Sequence, residues 1–451
     1  MSRQEYFLKR SCDYFEKLSA CTNVSLNVYA LYYRPGASCG FWLAILLPIA
    51  VYSAEDNLLE PNDIYFRLST VTCTTLFAAA ILYIRYLYRT AETINDLSWF
   101  HYIPIAVASF LLYLYFRLYI FAFIFIGTIN AYLYIVGLSF VFGKFPLSFT
   151  YGEASIAVQA AIMFAIRSIR NIFLMHKQPN LTDIQKITLV LQVGLVGCGL
   201  IVFLVYNFPV TKRLTGLLIS LFVVPFGFIV PLLRRLLGED PILWLLWLIF
   251  SDVNRVMLLV YWFGCCVLAI LAVGSQMTKS TVASTVVRKN FHYLIVAVYI
   301  PGVIFDCSLL YLSSGIALAI FILVEMVRVL QIQPFGDILQ KSFESFADEK
   351  DQGVLALTPI YLLAGCSLPL WIKPDYCSAG PERYLPALAG ILSVGIGDTA
   401  ASVGGSLYGK HKWSGIIKLM ESLKWIHKIT RGNSIFNFMP ISCNNSLNNI
   451  W

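Results

Sequence analysis

The chain has 451 residues, 58% of them hydrophobic and only 13% charged, and its mean hydropathy is +0.72. Globular domains carry about 25% charged residues, so this composition excludes an ordinary water-soluble protein and points to a polytopic membrane protein. In such a chain the formal net charge of +8 sets topology and gives no reason to expect a nucleic-acid partner.

Residues 1–39 form a polar N-terminal segment. The first apolar run starts at Gly40, too late for the apolar core of a secretory signal, so the first spanning helix is expected to deliver the chain to the membrane. A spanning helix needs about 20 mostly apolar residues. Runs near 40–54, 68–88, 102–118, 119–142, 153–175, 187–208, 214–233, 241–275 (one long or two short), 291–306, 308–330, 354–372 and 384–408 meet or approach that length. The reading is an all-α polytopic transmembrane bundle of about twelve spanning helices. The eleven cysteines are scattered, several of them in apolar runs (Cys73, Cys198, Cys265, Cys266, Cys307, Cys366). With no CxxC pair and no HExxH, neither a structural metal nor a disulfide framework is expected. Sequons stand at Asn23, Asn180 and Asn444, and they matter only on a lumenal face.

Residues 40–275 read as an N-terminal transmembrane scaffold. Arg85, Arg117, Arg167 and Arg170 lie in or near the edges of apolar runs, where snorkelling to the headgroups is the cheap explanation. One polar patch, Phe145 to Ala154, carries Pro146, Ser148, Thr150 and Glu153. Those residues suit a helix start with an acid in its first turn, and a binding role stands beside that capping role. Lys212 and Arg213 mark a helix end, and Arg234 to Pro241 a short loop.

Residues 276–415 differ. Val287-Arg288-Lys289-Asn290-Phe291-His292 precedes a helix carrying Pro301-Gly302 and Asp306. The next helix carries Glu325 and Arg328, three apart and able to pair on one face, followed by Gln333-Pro334-Phe335-Gly336. Counting crossings puts Lys279, Arg288, Lys289, Arg328, Lys341, Lys350, Lys410 and Lys412 on one side of the membrane, against Lys373 and Arg383 on the other. The positive-inside rule makes the richer side cytosolic.

The most unusual stretch is Val394 to Trp413. At helical spacing Gly397, Ala401, Gly405 and Gly409 make a small-residue stripe. Asp398, Ser402, Ser406 and Lys410 make a polar stripe one step on. The first alone would be a packing face between membrane helices; an acid and a lysine at membrane depth make a ligand site at least as good a reading. A basic, glycine-rich site at a cytosolic edge suits a phosphorylated ligand. Glycine lets backbone amides approach phosphate oxygens, and lysines neutralise them. One carboxylate, Asp398, could hold Mg²⁺ together with phosphates and waters, or act as a base. Ser402 and Ser406 can donate hydrogen bonds, and Lys410, Lys412 and Lys418 can meet phosphates. Neither a Walker motif nor the kinase HRD and DFG set occurs.

Gly397-Asp398-Thr399-Ala400-Ala401-Ser402, with Gly405-Ser406, Gly409 and Lys412-Trp413-Ser414-Gly415, resembles the nucleotide-binding signature of the dolichol kinase family of CTP-dependent polyprenol kinases, akin to phytol kinase. The resemblance extends over Ser148 to Ala154, Arg288 to His292, Pro301 to Asp306 and Glu325 to Gly336, and so over most of residues 145–415. It implies a multi-pass enzyme of the endoplasmic reticulum membrane that transfers the γ-phosphoryl group of CTP to dolichol. The product, dolichyl phosphate, serves protein glycosylation. The cofactor would be Mg²⁺ or another divalent cation, with Asp398 as metal ligand. The implied CTP-binding set is Gly397, Thr399, Ser402, Gly405, Ser406, Tyr408, Gly409, Lys410, Lys412 and Gly415, with Asp398, Lys418 and Glu421 catalytic. Glu153, Arg288, Lys289, His292, Asp306, Glu325 and Arg328 would support them. The partners implied are dolichol, CTP and membrane lipid, with the nucleotide site facing the cytosol.

The chain departs from the family at its end. The family continues with a pattern like G-T-K-K-T-x-E-G-T, whereas this chain reads Gly415-Ile416-Ile417-Lys418-Leu419-Met420-Glu421-Ser422. Residues 416–451 form a divergent polar tail where the family has further membrane helices. The expectation is a shortened or alternatively spliced form with reduced or absent turnover. A multi-pass secondary transporter is the competing class, but no internal repeat of the kind transporters show is visible.

Overall fold

The computed structural model describes residues 40, 42–56, 64–89, 120–174, 181–279, 283–347, 353–378 and 384–408, with short pieces between 106 and 114 and at 411–413 and 417–419. Its elements are α1 (Leu43–Asp56), α2 (Ile64–Arg89), α3 (Ile120–Lys144), α4 (Tyr151–Leu174), α5 (Asp183–Asn207), α6 (Leu214–Val224), α7 (Val230–Leu237), α8 (Pro241–Phe250), α9 (Val253–Met277), α10 (Thr285–Phe305), α11 (Cys307–Val329), α12 (Phe335–Phe346), α13 (Thr358–Ile372), α14 (Tyr384–Gly390) and α15 (Asp398–Tyr408). A π-helical segment, Pro225–Ile229, joins α6 to α7, and another, Ile391–Gly397, joins α14 to α15. A short antiparallel hairpin, β1 (His411–Trp413) and β2 (Ile417–Leu419), follows.

The all-α membrane bundle stands; the count of about twelve spans is not confirmed. Among the described residues eight helices are long and apolar enough to cross a membrane, and Leu43–Ala54, Pro241–Phe250 and Thr358–Ile372 are shorter apolar helices. α10, with Arg288, Lys289 and His292 in its first turns, is not among the eight. The run near 102–118 lies mostly outside the described residues. The run 241–275 is two helices: Ser251 and Asp252 break it, and Asp252 caps α9 by accepting from the Asn254 amide at 2.9 Å.

Two apolar cores organise the bundle. α1 to α4 share one, with Leu47, Leu76, Tyr134, Leu138 and Val158 at its centre. α5, α8 to α11, α13 and the α14 helix share the other, around Leu191, Trp262, Tyr299, Leu310 and Leu370. Large side chains such as Phe173, Phe263 and Ile270 point outward, as a lipid-facing surface requires. Some hydroxyls inside the bundle are satisfied within their own helix, since lipid offers no alternative partner. Thr70, Thr72, Thr74 and Thr75 each donate to the carbonyl four residues back, at 2.6–2.8 Å. Arg167 and Arg170, read from sequence as snorkelling, are tied down instead. Arg167 donates to the Ile372 carbonyl at 3.3 Å and Arg170 Nε to Asn171 at 3.1 Å.

α10 and α11 are sequential neighbours that run in opposite directions, so Lys289 and Arg328 share one end of the bundle and Asp306 lies at the other. At that second end Cys307 is bonded to Cys377. This one bond corrects the reading of Cys307 as a packed or lipid-facing cysteine: spacing of 70 residues leaves no local motif, and the pairing arises from the packing of α11 against α13 and the short Pro374–Ser378 helix.

Candidate active site

The segments singled out in the sequence converge at the Lys289 end, with one exception. Glu153 belongs to a capping box: its carboxylate accepts from the Thr150 amide at 2.8 Å, and its own amide donates to Thr150 Oγ1 at 3.3 Å. Two orphan donors at the start of α4 are satisfied in this way. Ser148 in the same loop accepts from the Leu355 amide at 3.1 Å. Gly353 packs so tightly there that a Cβ would lie 2.4 Å from Ser148 Cα. The 353–356 segment in turn meets the next motif. Glu325 accepts from the Ala356 amide at 2.6 Å, and Arg328 donates to the Val354 carbonyl at 2.6 Å.

Glu325 and Arg328 form the predicted pair. Two parallel bonds of 3.0 and 2.6 Å join them, with side chains only 13% and 7% exposed. Arg328 also donates to Gln340 at 2.6 Å and lies 4.6 Å from the ring centre of Phe343, both on α12. The pair is a staple between α11, α12 and the 353–356 loop. The other end of α12 reaches α10, where Phe346 packs edge-on against Phe291 and the Ser345 carbonyl accepts from the Ala283 amide.

Beside that contact sits the charged group. Lys289 Nζ donates to Asp398 Oδ2 at 2.5 Å, His292 Nε2 lies 3.1 Å from the same oxygen, and Lys289 and His292 are 3.4 Å apart. Lys289 and His292 are largely buried, at 12% and 13% exposure, whereas Asp398 is 51% exposed. A buried cation and an imidazole thus hold one oxygen of a carboxylate whose other oxygen has no partner among the described residues.

The helix carrying Asp398 is placed by close packing one to two turns earlier. A Cβ on Gly390 would come 2.3 Å from the Gly365 carbonyl oxygen, and one on Gly395 would come 2.5 Å from Val296. The close-approach face is therefore Gly390 and Gly395. It is not the predicted stripe, of which Gly397 and Ala401 are exposed. The π-helical turn before Asp398 widens the helix and rotates the face, as such bulges do. Thr399 is buried, and its hydroxyl donates to the Gly395 carbonyl at 2.6 Å. Ser402 is half-buried and Gly405 buried. The backbone of Ser406 and Tyr408 continues α15, while Gly409, Lys410, Gly415 and Glu421 lie outside the described residues. The hairpin, which the sequence did not suggest, puts Lys412 opposite Lys418 in register.

Asp306 is the exception. It caps α11 by accepting from the Leu309 amide at 2.8 Å and pairs with Arg255 Nε at 2.6 Å. It stands 17 residues beyond Lys289, roughly 25 Å along the helix, and is no part of the Asp398 group. Arg255, which sequence reasoning passed over, holds it there.

Among the described residues no group of three or more His, Cys, Asp or Glu side chains could hold a metal alone. The half-exposed Asp398 does fit Mg²⁺ in the manner of phosphate-binding sites, where one or two carboxylates suffice and phosphates and waters complete the shell.

A family model for dolichol kinase matches residues 105–410, more than half of the sequence and all of the geometry just described from Ser148 to Asp398. The chain belongs to the dolichol kinase family. Human dolichol kinase is 39% identical over 295 residues, covering 61% of this chain and 54% of the human protein. Mouse dolichol kinase is 38% identical over 293 residues, with the same coverage, and the Saccharomyces cerevisiae dolichol kinase is 28% identical over 185 residues, or 41% of this chain and 33% of the yeast protein. The chain thus spans about half the length of the curated dolichol kinases from mammals that it matches. No solved structure matches it. The family match stops at residue 410, before Lys412, Lys418 and Glu421.

Proposed function

We propose that this chain phosphorylates dolichol at the cytosolic face of the endoplasmic reticulum membrane, taking the γ-phosphoryl group of CTP and yielding dolichyl phosphate for protein glycosylation. The observation that carries the proposal is the Lys289–Asp398–His292 group at the head of the glycine-aspartate signature. Phosphoryl transfer asks a protein mainly to position and to neutralise charge. A half-exposed acid pinned by a buried ammonium is pre-positioned, and Asp398 and His292 are the two groups in place to accept the dolichol hydroxyl proton. Bound Mg²⁺ would screen phosphate charge beside Asp398. Like charges at opposed hairpin positions disfavour pairing, so Lys412 and Lys418 suit a ribbon that closes over the phosphates. CTP as donor follows from the family resemblance. Dolichol, being apolar, can enter from lipid.

A cytosolic site is supported by two independent observations. The basic residues concentrate at the Lys289 end. The Cys307–Cys377 bond at the opposite end is the kind of pairing an oxidising compartment favours. On a chain with Cys377 as its sole cysteine, in sealed microsomes, an impermeant maleimide should react only after the vesicles are opened. Reaction in sealed vesicles would reverse the orientation. The activity itself is tested by incubating membranes carrying this chain with dolichol and γ-labelled CTP, ATP or UTP. Label should pass to dolichol from CTP above all; label passing equally from ATP would remove the donor assignment, and passage of label to dolichol from α-labelled CTP, which reports cytidylyl transfer, would remove the reaction class.

A further inference from the structure

We propose that α8 does not cross the membrane but lies along the leaflet on the Asp306 side, with its outer face of Leu243, Leu246, Trp247 and Phe250 docked among the lipid chains. All ten of its residues, PILWLLWLIF, are apolar. Ten residues make a helix about 15 Å long, half of the roughly 30 Å that a hydrocarbon core spans.

Both ends of α8 stand at one level of the bundle. Before its start, Glu239 pairs with Lys186 in the first turn of α5 at 2.6 Å, and the Lys186 ammonium lies 6.0 Å from the centre of the Trp244 ring. At its end, Arg255 Nη1 donates to the Leu248 carbonyl at 2.7 Å, while Arg255 Nε pairs with Asp306, the N-cap of α11. α5 and α11 run side by side in one direction: Leu191 packs against Gly315, and the Cys198 thiol meets the Ala319 carbonyl at 3.7 Å. Leu191 and Gly315 stand equally far into their helices, so the first turns of α5 and α11 share a level, and the two ends of α8 share it with them. Charged and polar residues border α8 on both sides, Glu239 and Asp240 before it and Ser251, Asp252 and Asn254 after it. That level is therefore the water boundary, where ionisable groups avoid the cost of burial in lipid.

The protein uses one face of α8. Trp244 and Leu248 are buried in the core shared with Ile184 and Ile187 of α5 and Leu258 of α9. The face away from that core is bare: Leu243, Trp247 and Phe250 are 67%, 62% and 68% exposed, and Leu246 beside them is exposed too. Residues three, four and seven apart share one side of a helix. The exposed surface passes on to α9, where Val253, Met257 and Val260 are likewise exposed. A contiguous apolar patch of this kind marks an interaction surface. Its continuity with the outward face of a helix that spans the membrane names the occupant as lipid. Acyl chains suit the outer face, headgroups and water suit the charged borders, and tryptophan is the side chain most at home between them. The inference depends neither on the kinase reading nor on which end of the bundle faces the cytosol.

Spin labels test it on the full chain in phosphatidylcholine vesicles. Cys307 and Cys377 are kept, the other cysteines are replaced by alanine, and single labels are carried by Leu243→Cys, Trp247→Cys, Phe250→Cys or Val260→Cys. On α8 each label should collide more with oxygen, which dissolves in lipid, than with a water-soluble nickel complex, and Leu243→Cys and Phe250→Cys should report the same depth. Val260→Cys, two turns into α9, should read roughly 10 Å deeper. A step of about 10 Å from position 243 to position 250 would make α8 a crossing helix. Preference for the nickel complex would turn the face to water, and shielding from both reagents would put a second copy or another protein on it; each of these overturns the proposal. The unsubstituted chain gives a second reading that no folding defect can disturb. A phosphatidylcholine with a diazirine in its acyl chain should label the tryptic peptide Leu236–Arg255 on illumination, and a peptide without lipid adduct would count equally against the docking.

Discussion

Asp398→Asn should lower dolichol phosphorylation by roughly 10²–10⁴-fold, the range expected when a positioned acid–base or metal-binding carboxylate is lost, while leaving the fold intact. The two halves of that statement come from different numbers. Asp398 is 51% exposed, and the asparagine keeps an oxygen that can accept from the 12%-exposed Lys289, so the substitution should cost little stability. A large activity loss with unchanged thermal stability therefore isolates chemistry from structure. Lys289→Met separates the roles further. It leaves the carboxylate in place but frees it from the cation on Oδ2, and it should cost activity with little change in the apparent affinity for dolichol. Lys289→Arg should recover part of it, because the charge returns with a different shape. The readout is kcat and KM for both substrates in membranes, beside a melting curve for each variant. Wild-type turnover by Asp398→Asn would sink the assignment of this group as the reaction centre.

How far the sequence reached can be read from the same residues. Asp398 stood out because an ionisable group in an apolar stretch is costly and so rare, and Lys289 as part of the basic segment that precedes a helix. That they touch, 109 positions apart, was legible only as a shared side of the membrane, through counting crossings. Asp306 shows the weakness of grouping by motif: it belongs to a segment that resembles the family's, yet a helix of this length carries it to the opposite face. Glu153 resolved into a capping box, a local pattern of period three that sequence shows well. Three features left no local trace. The disulfide depends on two helices meeting. The π-helical turn before Asp398 depends on glycines finding Gly365 and Val296 on other helices. The hairpin depends on the register of His411–Trp413 with Ile417–Leu419 in a stretch without alternation. The bundle as a class was plain from hydropathy; the number of spans was not, because charged first turns, as in α10, and short apolar helices both defeat a length criterion.

The largest stability effect should come from Arg328→Ala. Arg328 is 7% exposed and distributes its donors over Glu325, Gln340 and the Val354 carbonyl. Its loss strands a carboxylate that is itself 13% exposed, and removing one partner of a buried pair costs about 3–5 kcal/mol. The damage should spread along the contacts that the pair closes. The 353–356 loop loses its anchor on Arg328 and with it part of the bond to Ser148; α12 loses Gln340 and the ring of Phe343. Since α12 also braces Phe291, beside Lys289 and His292, activity should fall even at temperatures where the chain remains folded. Arg328→Lys keeps the charge without the fork and should fall between the parent and the alanine variant. A Glu325→Leu/Arg328→Met chain removes both charges at once; replacing a buried pair by apolar residues is often neutral, so this double variant should be more stable than Arg328→Ala alone. The measurement is the fraction remaining monodisperse on size exclusion after graded heating in detergent. An Arg328→Ala chain indistinguishable from the parent would mean that Glu325 finds another partner, and that the Asp398 end of the bundle is braced by α10 and the glycine contacts of α14 without the arginine staple.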